Sequence, residues 1–306
     1  MKSVVLDAYT INPGDLSWEV LESLGEVSVY DRTADKDIIE RIGDCDSVFT
    51  SKCHITREIL DACPGIRFIS TLATGYDNID IKAAAEKGIA VCNIPAYSTE
   101  AVTQHTFALL LELCSKVALH NKASQEGRWS ACEDFSLVLE PMFQLSGKSL
   151  GIIGYGTIGK RVGQVAEAFG MKVIPYSRNP EEAVKADVVT LHCPATPDNK
   201  GFINKEFIDR MKDGAYLINT ARGALINEQD LAAAVRSGKL AGAAVDVVSK
   251  EPIEADNPLL GVPGLIVTPH MAWTSREARE VVCTTAAANL KAFMEGKELN
   301  RIVSES

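Results

Sequence analysis

Short apolar runs alternate with segments of helical spacing along the N-terminal part of the chain. Short strands that alternate with helices predict a parallel sheet with helices on both faces. The predicted strands are Lys2–Leu6, Val27–Tyr30, Ser47–Thr50, Phe68–Leu72 and Ile89–Cys92. The predicted helices are Trp18–Leu24, Ile38–Ile42, Ile59–Cys63 and Ile79–Lys87.

One longer helical pattern follows, from about Thr99 to Gln125. Its apolar positions recur at helical spacing, and it ends at Gly127, a residue typical of helix ends. Residues 127–146 show neither periodicity and are predicted to be irregular.

A second alternation of strands and helices starts at Ser149. The predicted strands are Leu150–Ile153, Lys172–Tyr176, Val188–His192, Ala215–Asn219, Ala243–Val247 and Leu265–Thr268. The predicted helices are Ile158–Phe169, Lys205–Met211, Glu228–Ser237 and a last one from near Ser275, where Thr274-Ser275-Arg276-Glu277 fits a capping box. The chain is therefore expected to form two α/β units joined by the long helix.

Composition supports a globular protein of about two domains. The chain has 306 residues, of which 46% are hydrophobic and 24% charged, and this excludes disorder as the main state. Its 31 Lys and Arg against 41 Asp and Glu give a net charge of −10, which disfavours nucleic acid and anionic membranes as partners. No stretch approaches the roughly 20 apolar residues of a membrane span.

Cysteine usage and the N-terminal sequence predict a cytoplasmic protein. The eight cysteines include no C-x-x-C pair, and reduced thiols in the core are the better interpretation. Asp7 follows only three apolar residues, too few for a signal peptide. The chain has five histidines, so candidates for a general acid are few, and no metal site is predicted.

A glycine-rich loop is the first candidate for chemistry. Gly154-Tyr155-Gly156-Thr157-Ile158-Gly159 matches G-x-G-x-x-G between a predicted strand and a predicted helix. In a dinucleotide site the first glycine permits the turn, the second admits the pyrophosphate, and the third packs helix against strand. The helix N-terminus then stabilises the phosphate charge. The alternative is a glycine-rich turn that binds nothing.

The end of the next predicted strand bears on the choice of cofactor. NAD enzymes usually place a carboxylate there for the ribose 2′-hydroxyl, but this chain has Ser177-Arg178. Serine and arginine can accept a 2′-phosphate, so NADP is favoured over NAD. Alternatively, Arg178 is a solvated surface residue and NAD binds without the acidic contact.

Further segments, taken with the glycine loop and in this order, resemble the D-isomer-specific 2-hydroxyacid dehydrogenase family. They are Leu72–Asp80 (LATGYDNID), Asn219–Gly223 (NTARG), Asp246–Pro252 (DVVSKEP) and Thr268–His270 (TPH). The resemblance spans about residues 45–290. The ending Pro269–Trp273 and the start Leu6–Thr10 look most like the glycerate dehydrogenase, or hydroxypyruvate reductase, branch.

The resemblance implies two doubly wound parallel-sheet α/β domains with the active site in the cleft between them. A Rossmann cofactor domain, residues 99–274, would be inserted into a flavodoxin-like substrate domain of residues 1–98 and 275–306. The family is usually dimeric, which here implies a homodimer through about residues 99–146. Trp129, Phe135 and Phe143 would suit such an interface, but they could equally pack within one chain.

Reduction of a 2-oxo acid needs a hydride donor, a cation for the carboxylate and carbonyl, and an acid for the developing alkoxide. Arg222 follows a predicted strand, where ligands bind in such sheets, and its guanidinium can hold two oxygens. His270 also follows an apolar run, and the family motif assigns Glu251 as its carboxylate partner. Taken alone, Arg222 could be a structural arginine between domains, His270 a core histidine and Glu251 a surface residue.

The resemblance implies further contacts. Thr74 and Gly75 would bind the substrate carboxylate, Trp273 would line the substrate pocket or simply pack, and Asp246 would face the nicotinamide amide or serve as a strand-end carboxylate. The remaining cofactor contacts would come from Thr103, Cys193, Pro194, Thr220 and Ala221. Where the family usually has glutamate after the small residue at 103, this chain has Gln104. His54, His105, His120 and His192 are interpreted as structural or surface residues.

The predicted protein is therefore a reductase that uses NADP or NAD and converts a small 2-oxo acid, hydroxypyruvate or glyoxylate, to D-glycerate or glycolate. The alternative is a dinucleotide-sensing binding protein, like the corepressors that share this fold. A formate dehydrogenase is disfavoured because glutamine would normally replace Glu251.

Overall fold

The computed structural model describes residues 1–302, and the chain divides into two compact units. The first unit combines Met1–Ser98 with the chain from Thr274 onward, and the second unit is Thr99–Trp273. The second unit is thus inserted, in sequence, into the first.

The first unit is built on a five-stranded parallel sheet in the order β2-β1-β3-β4-β5. Its strands are β1 (Lys2–Val5), β2 (Glu26–Val29), β3 (Ser47–Thr50), β4 (Phe68–Thr71) and β5 (Ala90–Cys92). Its first four helices are α1 (Glu19–Glu22), α2 (Ile38–Ile42), α3 (Arg57–Ala62) and α4 (Ile81–Glu86). This strand order is that of flavodoxin-like folds.

The second unit carries a six-stranded parallel sheet in the order β11-β10-β9-β8-β6-β7. Its helices are α5 (Thr99–Ser115), α6 (Val117–Gln125), α7 (Thr157–Ala168), α8 (Pro180–Val184), α9 (Lys205–Arg210) and α10 (Glu228–Arg236). Its strands are β6 (Ser149–Ile153), β7 (Lys172–Pro175), β8 (Val188–Leu191), β9 (Ala215–Asn219), β10 (Leu240–Val245) and β11 (Leu265–Val267).

The predicted class, two doubly wound parallel-sheet units, is confirmed, with one difference at the edge of the second sheet. In the classic Rossmann order, two further strands lie on one side of the first strand. Here the first strand is β6, and β7 is the single strand on that side. The connection Tyr176–Asp187 holds only the five-residue helix α8, which is too short for a further crossover and strand.

Helix α11 (Arg276–Met294) returns the chain to the first unit, where it packs on α1 and β4. Its N-cap is Ser275, whose hydroxyl accepts from the Ala278 amide at 3.2 Å. The predicted capping box is therefore off by one residue. Serine is as good a cap as threonine, and the helix begins after it.

The long helix predicted for Thr99–Gln125 is in fact two helices. Lys116 adopts φ +52°, in the left-handed region, and this ends α5. The carboxylate of Glu112 accepts from the Ala118 amide at 3.2 Å and so caps the start of α6. As predicted, α6 ends beside Gly127, which has φ +79°.

Each unit has its own apolar core. One cluster in the first unit centres on residues such as Val48, Ile55 and Ile69. Two clusters in the second unit lie among its helices and the two faces of its sheet. All eight cysteines lie in the described range and none forms a disulfide. Within residues 1–302, no helix is long and apolar enough to span a membrane.

Candidate active site

The glycine loop joins β6 to α7, and two of its glycines have no room for a side chain. Gly154 has φ +96°, and a Cβ there would lie 2.4 Å from the backbone of His192 and Cys193. A Cβ on Gly159 would lie 2.1 Å from the Gly154 carbonyl oxygen. These close approaches hold the loop and helix α7 against the sheet.

The middle glycine is different, because a Cβ on Gly156 would meet nothing within 4 Å. Gly156 is the N-cap of α7, it carries no capping side chain, and both it and Thr157 are exposed. The first amides of α7, at the positive end of a twelve-residue helix, therefore have no capping side chain. This geometry fits a dinucleotide pyrophosphate. Tyr155 and Ile158 are half-buried and pack against the core.

Ser177 and Arg178 follow β7 and are both exposed. The Arg178 guanidinium lies 6.0 Å from the centre of the Tyr155 ring in the glycine loop. The two side chains predicted to meet the ribose phosphate therefore stand at the strand end beside the loop.

The motif NTARG forms a closed turn after β9. The fully buried Asn219 side chain donates to the Arg222 carbonyl at 2.9 Å and accepts from the Ala221 amide at 3.0 Å. The Thr220 hydroxyl bonds that of Thr106 in α5 at 3.1 Å. Arg222 itself is exposed, with Nη1 donating to the Ala221 carbonyl at 2.8 Å, so its guanidinium is accessible to a ligand.

Gly223 brings the Arg222 turn against the segment that follows β10. A Cβ at Gly223 would lie 2.0 Å from the backbone carbonyl carbon of Val248. The Val248 amide donates to Oε1 of Glu251 at 3.2 Å. Only glycine permits this approach. In the Arg222-Gly223 pair, the glycine is therefore needed for packing and the arginine for its charge.

His270 and Glu251 meet as the family motif implied. Nδ1 of His270 lies 2.6 Å from Oε2 of Glu251, and the two side chains are each 31% exposed. Because a carboxylate only accepts hydrogen bonds, Nδ1 carries the hydrogen. Nε2 is therefore the ring nitrogen that remains to exchange a proton with a substrate.

Asp246 follows β10 and is almost fully buried, with 1% exposure. Its Oδ1 accepts from the Met271 amide and its Oδ2 from the Ala272 amide, each at 2.9 Å. Its main-chain oxygen accepts from the His270 amide at 2.7 Å. Asp246 thus holds the segment that carries His270, and its contact with a nicotinamide stays a prediction.

His105 is a residue of this site that sequence analysis missed. It lies on α5, and its Nε2 is 3.1 Å from the Thr268 hydroxyl and 3.4 Å from Oδ1 of Asp246. No motif pointed to it, because its partners lie far along the chain. Its only sequence signal is a position near Thr103, in the first turns of the long helix.

Thr74 and Gly75, predicted to bind the substrate carboxylate, lie in the first unit after β4. The Thr74 hydroxyl donates to the Ile94 carbonyl at 2.8 Å, and the Thr74 carbonyl accepts from the Asn93 side chain at 2.8 Å. Thr74 is exposed and Gly75 half-buried, so the loop is both fixed and accessible.

The remaining predicted residues are placed as follows. Cys193 and Pro194 follow β8, and burial raises the pKa of the Cys193 thiol. Thr103 is buried and donates to the Thr99 carbonyl of its own helix at 2.8 Å. Trp273, the last residue of the second unit, is half-buried. Their roles stay predictions.

His192 lies behind the glycine loop. Its Nε2 is 3.0 Å from the Thr190 hydroxyl, and burial lowers the pKa of its ring to about 3. It is neutral at physiological pH, in line with a structural role.

The site residues of the second unit follow the carboxyl ends of neighbouring parallel strands. Along the sheet order the segments after the strands carry His270 (β11), Asp246 (β10), Arg222 (β9), Cys193 (β8), Gly154 (β6) and Ser177 (β7). Ligands of open α/β sheets bind at this edge. His270 and Arg222 thus lie towards one end of the row and the glycine loop towards the other.

The chain is similar in sequence and in structure to known proteins. Residues 107–272 match the family model described as D-isomer specific 2-hydroxyacid dehydrogenase, NAD binding domain. The chain is 48% identical to a hydroxypyruvate reductase of Blautia hydrogenotrophica, over 98% of this chain and 99% of that protein.

Two solved structures with bound ligands are also similar. The D-lactate dehydrogenase of Aquifex aeolicus, complexed with NAD and lactic acid, is 29% identical with a TM-score of 0.84, over 99% of this chain and 100% of that chain. An acyclic imino acid reductase in complex with NADPH and D-Arg is 29% identical with a TM-score of 0.86, over the same shares of the two chains.

Proposed function

The chain belongs to the D-isomer specific 2-hydroxyacid dehydrogenase family, and from this premise we propose that its substrate is hydroxypyruvate, reduced with NADPH to D-glycerate. The predicted family and reaction class are confirmed: it is an oxidoreductase that transfers hydride between NAD(P)H and a small 2-oxo acid. The relatives reported above are enzymes, and nothing in them supports the corepressor alternative.

One observation carries the proposal at the level of the site. Arg222 follows β9, Asp246 and Glu251 follow β10, and His270, which pairs with Glu251, follows β11 of the same sheet. A cation for a carboxylate and an oriented proton donor thus share one edge with the glycine loop. This is the set of groups that 2-oxo acid reduction requires.

Arg222 has the role of substrate cation. Its guanidinium can hold the carboxylate of a 2-oxo acid in a bidentate geometry and polarise the adjacent carbonyl. Its backbone is fixed by Asn219, so the exposed side chain extends from a rigid turn. The bound nicotinamide supplies the hydride.

His270 has the role of general acid. Glu251 holds Nδ1–H, which fixes the orientation of the ring and leaves Nε2 to face the substrate. Nε2–H then protonates the alkoxide that forms as hydride adds to the carbonyl carbon. In the oxidative direction, neutral His270 accepts the same proton.

NADPH is proposed in preference to NADH because of Ser177 and Arg178. A serine hydroxyl and an exposed guanidinium beside the glycine loop suit a 2′-phosphate, whereas a carboxylate at this place would repel it. One of the two similar structures was solved with NADPH and the other with NAD, so the proposal for NADPH rests on Ser177 and Arg178.

We also propose that the enzyme is a homodimer through about residues 99–146. Trp129 is 53% and Phe135 93% exposed, which suits an interface. Phe143 is half-buried, and its ring stacks on Tyr216 within the second unit with ring centres 4.8 Å apart, so it contributes less exposed surface than Trp129 and Phe135. The free thiols support a cytoplasmic location.

A substrate panel tests the proposed reaction. Hydroxypyruvate, glyoxylate, pyruvate and an imino acid are each offered with NADPH and with NADH, and cofactor oxidation is followed by absorbance. The proposal predicts the highest kcat/KM for hydroxypyruvate with NADPH. No oxidation with any 2-oxo acid would contradict the reaction, and a preference for the imino acid would redirect it.

A further inference from the structure

The loop that carries His270 has a backbone conformation that its surroundings must hold. His270 has φ +51°, in the left-handed region that residues with a side chain rarely adopt, at a cost of about 1 kcal/mol. Such conformations persist where neighbouring groups determine them. The orientation of the acid therefore depends on whatever fixes residues 268–272.

Asp246 is the group that fixes this loop. Its main-chain oxygen and its two carboxylate oxygens accept from the amides of His270, Met271 and Ala272, so one buried residue binds three successive amides. The carboxylate is held in its charged form. Burial alone would raise its pKa, but hydrogen bonds from His105, Thr268 and the Ala272 and Met271 amides outweigh burial and lower the pKa.

The Thr268 hydroxyl determines where the hydrogen on His105 sits. Thr268 Oγ1 lies 2.6 Å from Oδ1 of Asp246 and 3.1 Å from Nε2 of His105. A hydroxyl has one hydrogen, and the carboxylate can only accept, so Thr268 donates to Asp246. The lone pair of Thr268 then faces His105, and Nε2 of His105 must be the donor.

His105 is thereby a hydrogen-bond donor beside the Asp246 carboxylate. Its Nε2–H also lies 3.4 Å from Oδ1, and its side chain is 16% exposed. Without this donor, the Thr268 hydroxyl loses the group that orients it towards Asp246. The buried Asp246 carboxylate then loses part of its stabilisation, and its hydrogen bonds to the loop that carries His270 weaken.

We propose that His105 is a positioning residue for the acid–base step: its Nε2 proton, through Thr268 and Asp246, holds the backbone that aims His270. The proposal rests on the proposed function, because it concerns the same reaction. It assigns His105 no contact with substrate or cofactor.

Two substitutions separate positioning from simple packing. His105→Phe keeps a ring in α5 but removes the donor, whereas His105→Gln retains an N–H. We expect the phenylalanine variant to lose about 10- to 100-fold in kcat, with the dissociation constant for NADPH nearly unchanged, and the glutamine variant to recover most of the turnover. Wild-type turnover in the phenylalanine variant, or a glutamine variant that is equally slow, would overturn the proposal.

A second measurement does not depend on turnover. Amide hydrogen exchange at Met271 and Ala272 should be faster in His105→Phe than in wild type, and close to wild type in His105→Gln. Unchanged exchange in both variants would overturn the proposal. If the wild type reduced no 2-oxo acid, the proposed function would fail, while the exchange rates would still decide the role of His105.

The same reasoning applies to Thr268, which provides a test should His105→Phe fail to fold. Thr268→Val removes the hydroxyl and should reproduce the loss of turnover and of amide protection. Thr268→Ser keeps the hydroxyl and should behave like wild type. If Thr268→Val and Thr268→Ser showed the same amide exchange and the same turnover, the proposed hydrogen bonds from His105 through Thr268 to Asp246 would be contradicted.

Discussion

At the scale of single residues, the choice of cofactor depends on the side chain at 177. Ser177→Asp places a carboxylate where the 2′-phosphate of NADPH is proposed to bind, and it offers an acceptor for the ribose hydroxyls of NADH. We expect the ratio of kcat/KM for NADPH to that for NADH to fall by tenfold or more, which is about 1.4 kcal/mol. Steady-state kinetics with both cofactors measures this ratio, and an unchanged value would remove the argument for NADPH.

Gly223 lets the turn that carries Arg222 pack closely against the segment that carries Val248 and Glu251. Gly223→Ala forces a Cβ to within 2.0 Å of the Val248 backbone, so one of the two segments must move. We expect a loss of about 1–3 kcal/mol in unfolding free energy and a lower kcat/KM, because Arg222 and Glu251 separate.

Gly65→Ala is a matched control, because its Cβ would make only an ordinary contact, 3.8 Å from the Cys45 carbonyl oxygen. Thermal unfolding and kinetics of both variants test the argument. Equal behaviour of the two alanine variants would show that the close approach at Gly223 is unimportant.

Single residues also mark the limit of sequence analysis. The resemblance to the family motif is what assigns Glu251 as the partner of His270, and the structure brings the two within 2.6 Å. His105 was interpreted as structural or surface. Its partners Asp246 and Thr268 are distant in sequence, and no local pattern encodes a contact made through tertiary packing.

At the scale of elements, the strands were predicted closely. All eleven apolar runs are strands, with ends that differ by a few residues, because buried parallel strands are nearly continuous in apolar residues. The break between α5 and α6 was missed. Lys116 breaks the helix by its backbone conformation and not by its residue type, and the apolar spacing continues across it.

The segment after α6 presents the element proposed for dimerisation. Phe135→Asp would place a charge in the centre of that interface, and we expect it to shift the protein from dimer towards monomer in sedimentation. Val20→Asp is a control, because Val20 is 49% exposed but lies on α1 in the other unit. A monomeric wild type, or a dimer unaffected by Phe135→Asp, would contradict the proposed interface.

At the scale of the whole molecule, the sheet order explains why a linear sequence yields one site. Arg222, Asp246 and His270 are each 24 residues apart in sequence, yet they follow three adjacent strands β9, β10 and β11. The sequence predicted the strands and their parallel class. It did not predict the order of the strands, which depends on the crossovers. It also did not predict that β7 is the edge strand of the second sheet.

The measurement that tests the account most directly compares wild type with His270→Ala in hydroxypyruvate reduction, together with NADPH binding by fluorescence. We expect kcat to fall by about 10²- to 10⁴-fold, while the dissociation constant for NADPH changes by less than about twofold. His54→Ala, which removes an exposed histidine of the first unit, should leave both values unchanged. Wild-type kcat in His270→Ala would contradict the assignment of His270 as the acid.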